Sequence, residues 1–506
     1  MKREVMLVRA GERGRLWDVL VIGGGATGLG IAVDAASRGH SVLLAERDDF
    51  AKGTSSRSTK LIHGGVRYLQ QGNVALVVEA LKERGLLRRN APHLVHDLAF
   101  VVPSYAWWQS PFYGVGLKLY DLLAGEYGFG ASSHLDIDAV RTAIPTIETE
   151  GLLGGTRYFD GQFDDARLAI ALAQTAAAHG ATLVNYCGVV ALRKTGPHIR
   201  GAVLRDAESG NEFEVCARVV INATGPFCDA VRRLDDPAAR LLIAPSQGTH
   251  LILPREFLPG DAAIMVPHTS DGRVMFAIPW LGRTLIGTTD VAVAQVMSEP
   301  LPQHAEIDFL LTTANRYLTR HATPADILSV FAGIRPLVSG DAGATASLSR
   351  EHALVIDSVS GMMTVAGGKW TTYRRMAEDA VDMAQTLGGL DAKPCSTAAL
   401  GIVDGAVPES DVPLHHALPL TPAAVRIACR EEMARRAEDV LARRSRCLLL
   451  DAAAAVEAAP EVARLMALEL GRDAAWVRRE VADFTALAAG YRIGASAPVL
   501  LLHGLM

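Results

Sequence analysis

Residues 17–30, WDVLVIGGGATGLG, decide the fold, because an apolar run leads directly into a cluster of glycines. The apolar run over residues 18–22 predicts a buried strand, and the alanine-rich periodic stretch over residues 28–38 predicts a helix. Residues 41–46, SVLLAE, predict a second strand. A strand, a turn, a helix and a second strand within about thirty residues form a βαβ unit, the element from which parallel sheets are built.

The glycines of this turn have the spacing of a dinucleotide-binding loop. Gly23, Gly25 and Gly28 fit the pattern G-x-G-x-x-G. In that pattern the first glycine permits the tight turn, the second lets the backbone approach a pyrophosphate, and the third lets the helix pack closely on the strand. Glu46 ends the second strand, where its carboxylate can accept hydrogen bonds from a ribose diol, which favours NAD or FAD over NADP. The alternative is a glycine turn with a purely structural role.

Two later turns favour FAD over NAD. The alternating strand over residues 214–221 runs into the small residues 222–225, which phosphates or a ribose can approach. A further strand over residues 363–366 runs into the glycine turn 367–373 and then into a helix. A second helix N-terminus so far along the chain suits a large ligand such as a flavin, because helix N-termini attract electron-rich groups.

Composition argues against several other classes of protein. The 506 residues exceed the size at which a single core stops growing, so two or more compact units are expected. A net charge of -5 argues against a nucleic-acid partner, which needs a basic face. The six cysteines are scattered singly and predict neither disulfides nor a metal site. No apolar run reaches the roughly 20 residues that span a bilayer, and the basic segment 1–15 lacks the features of a secretory signal.

Six motifs in one order carry a family resemblance. They are VIGGGATGLG (21–30), GTSSRSTKLIHGGVRYL (53–69), INATGP (221–226), IGTTD (286–290), GIRPL (333–337) and GGKWTTYR (367–374). The set resembles the FAD-dependent glycerol-3-phosphate dehydrogenases over nearly all of residues 17–388. The resemblance implies FAD as cofactor and oxidation of sn-glycerol 3-phosphate to dihydroxyacetone phosphate, with hydride transfer from C2 to flavin N5. It also implies a quinone as the electron acceptor.

The resemblance also implies the fold and the domain boundaries. The expected class is α/β with added antiparallel β structure: a Rossmann-like FAD-binding domain of the glutathione-reductase and D-amino-acid-oxidase type. Residues 17–388 form that domain, with an antiparallel-sheet substrate domain inserted at roughly 70–150 and 240–330. Residues 389–506 form a helical cap domain, since EDVLARRSRCLLLDA (438–452) is similar to the family's helical tail. Within the cap, periodicity predicts helices over residues 421–445, 460–470 and 473–489.

The motifs and other segments of the resemblance supply the candidate site residues. Those expected to bind the cofactor are Gly23, Gly25, Ala26, Thr27, Gly28, Glu46, Arg47, Thr54, Ser55, Ser58, Lys60, Leu61, His63, Gly64, Gly65, Val189, Ala223, Thr224, Gly225, Gly368, Lys369, Trp370 and Thr371. Those that the resemblance places around the substrate are Arg67, Tyr68, His250, Arg335, Arg350 and Lys369. A phosphate dianion needs cationic donors, and arginine offers two in one plane. His250, Arg335 and Lys369 are the candidate catalytic residues.

The proton of the substrate hydroxyl needs a base, and histidine suits that task near neutral pH. We expect His250 to be that base; the alternatives are that it orients the substrate or is a buried structural histidine. The hydroxyl-rich segment 53–60 is expected to contact the FAD phosphates or flavin, although a polar loop with capping residues is the plainer interpretation. Arg335 and Lys369 can also stabilise alkoxide character as the hydride leaves.

Several questions stay open at this level. An oxidase that passes electrons to oxygen shares the flavin motifs, and amine or amino-acid oxidases and a non-enzymatic flavoprotein scaffold share the architecture. The arginines between residues 426 and 446 are either a solvated helix face or a patch for anionic lipid headgroups. The resemblance implies peripheral attachment to the inner face of the cytoplasmic membrane, and a homodimer is possible. Neither the cysteine-rich module of anaerobic relatives nor the calcium loops of mitochondrial ones follows residue 388, which favours an aerobic bacterial type.

Overall fold

A computed structural model describes residues 1–66, 69, 73–267, 269, 272–339, 352–405 and 412–494 of the chain. The strands in chain order are β1 (Leu16–Ile22), β2 (Val42–Ala45), β3 (Leu61–Ile62), β4 (Val95–Ser104), β5 (Ser133–Leu135), β6 (Gly154–Phe163), β7 (Thr182–Val184), β8 (Cys187–Thr195), β9 (His198–Asp206), β10 (Glu212–Asn222), β11 (Ile243–Pro254), β12 (Ala263–Val266), β13 (Met275–Trp280), β14 (Arg283–Gly287), β15 (Val291–Ala292), β16 (Ser329–Val338), β17 (His352–Ile356) and β18 (Met363–Gly367). The α-helices are α1 (Arg3–Ala10), α2 (Ala26–Ser37), α3 (Val74–Asn90), α4 (Gln109–Ala124), α5 (Ile137–Ala143), α6 (Asp165–Ala178), α7 (Cys228–Asp235), α8 (His304–Asn315), α9 (Tyr373–Gly388), α10 (Pro422–Glu431), α11 (Cys447–Leu450), α12 (Ala452–Leu470) and α13 (Ala474–Ala489).

The first sheet is built around the predicted βαβ unit. β1 pairs in parallel with β2 on one side and with β10 on the other, and β10 pairs in parallel with β18. α2 packs against α6 and α9 on one face of this sheet. Parallel strands end at the same edge, so the turns after β1, β2, β10 and β18 converge there. The sequence places a glycine turn or an acid at each of those four ends.

The second sheet covers that edge. Its strand order is β15-β11-β14-β13-β12-β4-β6-β3, with β16 beside β11 and β5 beside β6. It is antiparallel except where β4 meets β12, which pair in parallel. Its strands come from residues 61–163 and 243–338, wider ranges than the two predicted for the substrate domain. β3, β6 and β16 account for the difference: β6 and β16 each pair along a whole neighbouring strand, and β3 pairs with β6.

The C-terminal part is helical, as predicted, but its first helix is shorter than expected. The prediction of one helix over residues 421–445 is wrong: α10 ends at Glu431, and a π-helical segment spans Asp439–Arg444. The chain turns instead at Met433 and Arg446, which both have left-handed backbone conformations. The helix predicted at 460–470 begins earlier, at Ala452, and contains Pro460.

The C-terminal helices share a core with the second sheet. Buried Leu441, Leu448 and Val462 belong to the same apolar cluster as Phe100 and Ile278 of the sheet. The predicted fold class, an FAD-binding α/β domain with a second sheet and a helical C-terminal region, is confirmed. None of the helices that the structure describes is long and apolar enough to cross a membrane.

Candidate active site

A cavity of about 1740 Å³ lies between the two sheets. One end is formed by the glycine turn after β1 and by Glu46 after β2. The cavity continues past the turn after β18 to the floor formed by β11 and β16, and reaches α4 at its far end. The same cavity therefore connects the predicted dinucleotide loop with predicted substrate residues.

Most predicted cofactor residues line this cavity. They are Gly23, Gly25, Ala26, Thr27, Glu46, Arg47, Thr54, Ser55, Ser58, Leu61, His63, Gly65, Val189, Ala223, Thr224, Gly225, Gly368, Lys369, Trp370 and Thr371. His250 and Arg335 line it as well. Arg67, Tyr68 and Arg350 lie outside the described residues, so their place in the site stays a prediction.

Gly28, Lys60 and Gly64 do not appear among the cavity-lining residues. Gly28 faces the strand instead: a Cβ there would lie 1.9 Å from the backbone oxygen of Gly23, so only glycine lets α2 pack this closely. Gly64 is packed against Leu81 and donates its N–H to the Tyr120 hydroxyl at 2.7 Å. Sequence spacing alone does not distinguish glycines that face a ligand from glycines that face the core.

Lys60 is buried, and its ammonium donates to Asp165 at 2.7 Å and to the backbone oxygen of Ser56 at 2.8 Å. Burial and the charge of Arg446 lower the pKa of Lys60 to about 7. Lys60 therefore has a structural position next to the cavity wall. No sequence pattern predicts this contact, because Asp165 is about a hundred residues away along the chain.

Glu46 lies where the sequence predicts. Its carboxylate accepts hydrogen bonds from the backbone N–H groups of Gly24 at 2.6 Å and Asp48 at 2.8 Å. Burial and the neighbouring charge of Asp48 raise the pKa of Glu46 to about 7. Each carboxylate oxygen retains a further lone pair, so the group can accept hydrogen bonds from a ribose diol in addition.

The hydroxyl-rich segment 53–60 connects several parts of the site. The Ser55 hydroxyl accepts a hydrogen bond from the N–H of Ala26, in the first turn of α2, at 2.9 Å. The backbone oxygen of Ser55 accepts from the indole of Trp370 at 2.9 Å. The Thr59 hydroxyl is 2.9 Å from Nε2 of His250. The segment therefore bridges the predicted phosphate turn and the predicted base.

His250 lies on β11 with its ring buried. The ring stacks on Phe331 of β16, with centroids 4.8 Å apart. A Cβ on Gly287 of the adjacent strand would lie 2.1 Å from the ring, so the missing side chain makes room for the imidazole. Nδ1 is buried without a hydrogen-bond partner among the residues that the structure describes. Burial and the charges of Lys60 and Arg335 hold the pKa of His250 well below its ordinary value, so the ring is neutral and can accept a proton.

Arg335 lies on β16 and crosses β11 at Gly248. A Cβ on Gly248 would lie 2.3 Å from Nη2 of Arg335, so this glycine provides the space for the guanidinium. Nη2 donates to the Thr288 hydroxyl and the Thr289 backbone oxygen, each at 3.0 Å. These contacts fix the guanidinium at the cavity wall, on the same floor as His250.

Sequence reasoning missed a second guanidinium at this wall. Arg273 lines the cavity and is 3.6 Å from Oδ2 of Asp290, whose Oδ1 is 3.5 Å from Arg335. One carboxylate thus lies between two guanidinium groups at this part of the wall. Arg273 is preceded by Gly272, a turn signal, but it lies outside the six motifs.

The residues present fit FAD. Gly25 leaves open space at the N-terminus of α2, where only the Ser55 hydroxyl would approach a Cβ. Glu46 can accept the ribose hydroxyls, and the small turns after β10 and β18 line the rest of the same cavity. A helix N-terminus stabilises negative charge, so the pyrophosphate would be held at Gly25, Ala26 and Thr27. Among the described residues there is no group of three potential metal ligands.

Comparison with known proteins gives consistent matches. The model of the FAD dependent oxidoreductase family matches residues 18–374, and that of the C-terminal domain of alpha-glycerophosphate oxidase matches residues 391–477. The chain is 41% identical to mitochondrial glycerol-3-phosphate dehydrogenase of Homo sapiens, over 90% of the chain and 71% of that protein. It is 40% identical to the mitochondrial enzyme of Arabidopsis thaliana, over 89% of the chain and 82% of that protein.

Solved structures agree with these matches. Glycerol-3-phosphate dehydrogenase from Bacillus halodurans, complexed with FAD, superposes with a TM-score of 0.78 at 28% identity, and the match covers 97% of each chain. L-alpha-glycerophosphate oxidase from Mycoplasma pneumoniae gives a TM-score of 0.59 at 16% identity, covering 78% of this chain and 100% of that one. The second similarity is one of fold alone.

Proposed function

Because the chain belongs to the family of FAD-dependent glycerol-3-phosphate dehydrogenases, we propose that it oxidises sn-glycerol 3-phosphate to dihydroxyacetone phosphate and passes the electrons to a quinone. The observation that carries this proposal is the single cavity that joins the FAD turn to His250, Arg335 and Lys369. FAD, when bound, supplies the acceptor for the hydride that leaves C2 of the substrate.

The cationic wall supports a phosphate-bearing substrate. Arg335 and Arg273 both line the cavity, and both lie near the carboxylate of Asp290. Lys369 lines the cavity at the start of the turn that leads into α9. A phosphate dianion placed there would gain charge-assisted hydrogen bonds in a partly dehydrated site, where they are stronger than in water. An amino-acid substrate would need only one of these cations for its carboxylate.

His250 is suited to take the proton of the C2 hydroxyl. Its ring is neutral, and the residue lines the cavity on the same floor as Arg335. The Thr59 hydroxyl and the Phe331 ring fix the orientation of the imidazole. The low pKa also keeps the ring from being protonated before substrate arrives, so it is in the basic form when the reaction begins.

The far end of the cavity supports an apolar electron acceptor. There the wall is formed by one side of α4, with Phe112, Val115 and Leu119, and by Leu69 and Leu76. The ring and tail of a quinone would bury apolar surface against these side chains. The floor of the same cavity, at His250 and Arg335, would take the substrate, so the two reactants would occupy different parts of it.

The outer surface of α4 supports attachment to a membrane. Val115 is 73% exposed and Leu122 is 76% exposed, and Trp107 just before the helix is 82% exposed. With Phe112 and Leu119 the helix residues recur at helical spacing, so they form one apolar stripe. A helix of this kind lies in the membrane interface with its apolar face in the lipid. We propose the inner face of the cytoplasmic membrane as the location, with the cavity mouth turned toward the lipid.

The arginines of the C-terminal region do not form the predicted lipid patch or solvated face. Arg443, Arg444 and Arg446 are buried and ion-paired, and Arg435 pairs with Glu208. Of the seven arginines between residues 426 and 446, Arg426, Arg430 and Arg436 keep substantial exposure. The sequence leaves the oligomeric state open, and sedimentation of the detergent-bound protein would test for a homodimer.

An oxygen-using oxidase is not favoured, because the curated relatives are dehydrogenases and the solved oxidase shares only the fold. The acceptor is tested by following glycerol 3-phosphate oxidation with a short-chain ubiquinone under nitrogen and, separately, with air-saturated buffer alone. We expect turnover with the quinone and little peroxide formation in air. Peroxide formation as fast as quinone reduction would contradict the proposed acceptor.

A further inference from the structure

Three arginines of the segment RRSR, residues 443–446, lie inside the protein although they belong to the C-terminal region. The side chains of Arg443, Arg444 and Arg446 are 2%, 3% and 1% exposed. Burying a charged group is costly unless it is paired and fully hydrogen-bonded. The hydrogen-bond partners of these arginines therefore indicate the role of residues 443–446.

Two of the arginines hold Asp49, which follows the cofactor residues Glu46 and Arg47. Asp49 Oδ2 is 2.6 Å from Nε of Arg443 and 2.5 Å from Nη1 of Arg444, and its Oδ1 is 2.9 Å from Nη2 of Arg444. Burial alone would raise the pKa of Asp49, and the two guanidinium groups together hold that pKa below its usual value. The backbone that leads out of the ribose end of the cavity is thus fixed from the C-terminal side.

Arg446 holds the next part of the same segment. Its Nη2 donates to the backbone oxygen of Ser56 at 2.8 Å and to Oδ1 of Asp165 at 2.9 Å. Oδ2 of Asp165 accepts from the N–H of Ser58 at 3.0 Å, from the Ser58 hydroxyl at 2.7 Å and from Lys60 at 2.7 Å. Arg446 therefore reaches the segment 56–60 twice, once directly and once through Asp165.

The backbone around these contacts is itself unusual. Lys60 and Arg446 have φ angles of 63° and 65°, in the left-handed region that residues with side chains seldom adopt. Both side chains donate to the same carboxylate, that of Asp165. Backbone conformations of this kind persist where the surroundings fix them, and they cluster at functional sites.

The segment held in this way is the one that touches both halves of the active site. Ser55 contacts the first turn of α2 through the N–H of Ala26, and Thr59 contacts His250. Thr54, Ser55, Ser58 and Thr59 line the cavity. Asp49 and Ser56 contact the arginines directly, and Lys60 shares the carboxylate of Asp165 with Arg446. A shift of this segment would move the phosphate turn and the partner of the base together.

We propose that Arg446, together with Arg443 and Arg444, positions the segment 49–60 for FAD binding. The C-terminal region then contributes to FAD affinity, in addition to packing against the second sheet. These arginines are positioning residues, since they act through Asp49, Ser56 and Asp165. The inference rests on FAD binding and not on the identity of the substrate or the electron acceptor. A failed assay with glycerol 3-phosphate would therefore not contradict it, because FAD release and hydrogen–deuterium exchange are measured without substrate.

The first test measures release of FAD from the holoenzyme after dilution, by the rise in flavin fluorescence. Arg446→Gln should release FAD at least about tenfold faster than the wild type, the effect expected for losing one charge-assisted hydrogen bond in a buried site. Arg446→Lys keeps the charge but only part of the contacts, and its rate should lie between the two. Arg430→Gln is the matched control, because Arg430 is an exposed arginine of the same region that pairs only with Glu469 there. Release at the wild-type rate from Arg446→Gln would overturn the proposal.

The second test uses the wild-type protein, so it does not depend on the folding of a variant. Coupling between two sites is reciprocal, so FAD binding must stabilise the arginine segment if the arginines stabilise FAD. Hydrogen–deuterium exchange of the holoenzyme and of the FAD-depleted protein should therefore differ at residues 439–447 as well as at residues 49–60. Protection confined to 49–60, with unchanged exchange at 439–447, would show that the C-terminal region only covers the site.

Discussion

His250 is the residue on which the proposed proton transfer depends. His250→Asn should slow anaerobic flavin reduction by about 100-fold or more, since general base catalysis contributes that much. Because the pKa of His250 is held well below 6.5, the basic form already dominates at neutral pH. The wild-type reduction rate should then stay level between about pH 8 and 6.5 instead of falling as an ordinary histidine is protonated.

Stopped-flow mixing of the holoenzyme with substrate measures both the reduction rate of the variant and the pH dependence of the wild-type rate. His40→Asn is a suitable control, because His40 is buried but does not line the cavity. A near-normal rate for His250→Asn would remove His250 from the role of base.

Gly248 provides a test of the Arg335 site. In Gly248→Ala the new methyl group would lie 2.3 Å from Nη2 of Arg335, and the guanidinium, as the far end of a flexible side chain, would move away. The KM for glycerol 3-phosphate should rise by about tenfold or more, since a charge-assisted hydrogen bond is lost, while the melting temperature stays near that of the wild type. Steady-state kinetics with Gly401→Ala as control, where a Cβ meets open space, check this; an unchanged KM would argue against Arg335 as a phosphate ligand.

The raised pKa of Glu46 leads to a prediction of how FAD binding depends on pH. Its pKa is raised to about 7 in the protein without FAD, and ribose hydroxyls that donate to the carboxylate would favour the ionised form. Binding must then expel a proton below about pH 7, so FAD affinity should fall by up to about tenfold for each pH unit of acidification. Fluorescence titrations between about pH 5.5 and 8 measure this. Glu46→Gln should flatten the dependence, and a flat wild-type profile would exclude the carboxylate from ribose binding.

Substitutions at and just before α4 can test membrane attachment separately from catalysis. Trp107 and Leu122 are exposed and do not line the cavity, so the pair Trp107→Ala and Leu122→Asp should weaken vesicle binding without changing the site. Each buried side chain of this size contributes about 1.5 to 3 kcal/mol, so the loss should exceed tenfold. Co-sedimentation with phosphatidylcholine vesicles, with and without phosphatidylserine, measures the binding.

Leu468→Asp is the matched control, because Leu468 is 70% exposed on α12, in the C-terminal region. An equal loss in the control, or no loss in the α4 variant, would exclude α4 as the membrane surface. Reduction of a soluble electron acceptor should stay at the wild-type rate in both variants.

Elements whose signal is local were predictable from the sequence. The bounds of β1, α2 and β2 were predicted within about two residues, because the apolar strand pattern, the glycine turn and the helical periodicity all depend on residues that are close in sequence. The break after α10 was not predicted, since residues 421–445 have helical spacing and the contacts of Arg443 and Arg444 with Asp49 join residues far apart in the chain. The role of Lys60 was missed for the same reason, because its partner Asp165 lies far away in the chain. Arg273 was missed because it lies outside the six motifs.

At the level of the whole molecule, one cavity unites three regions of the chain. The first sheet supplies the turns for FAD, the second sheet supplies His250 and Arg335, and the C-terminal region holds the segment between them. The parallel edge of the first sheet could be predicted because four of its strand ends carry glycine or acidic residues. The way in which the C-terminal arginines enter that site depends on tertiary contacts, which neither composition nor periodicity encodes.

The most direct test of the proposed function is anaerobic reduction of the bound flavin. The purified yellow holoenzyme is mixed under nitrogen with glycerol 3-phosphate, and in parallel with glycerol and with an amino acid such as proline, while the visible flavin absorption is followed. We expect glycerol 3-phosphate alone to bleach the flavin rapidly, because only it offers both a secondary alcohol to His250 and a phosphate to Arg335. Absence of bleaching with glycerol 3-phosphate, or equal bleaching with glycerol, would contradict the proposed function.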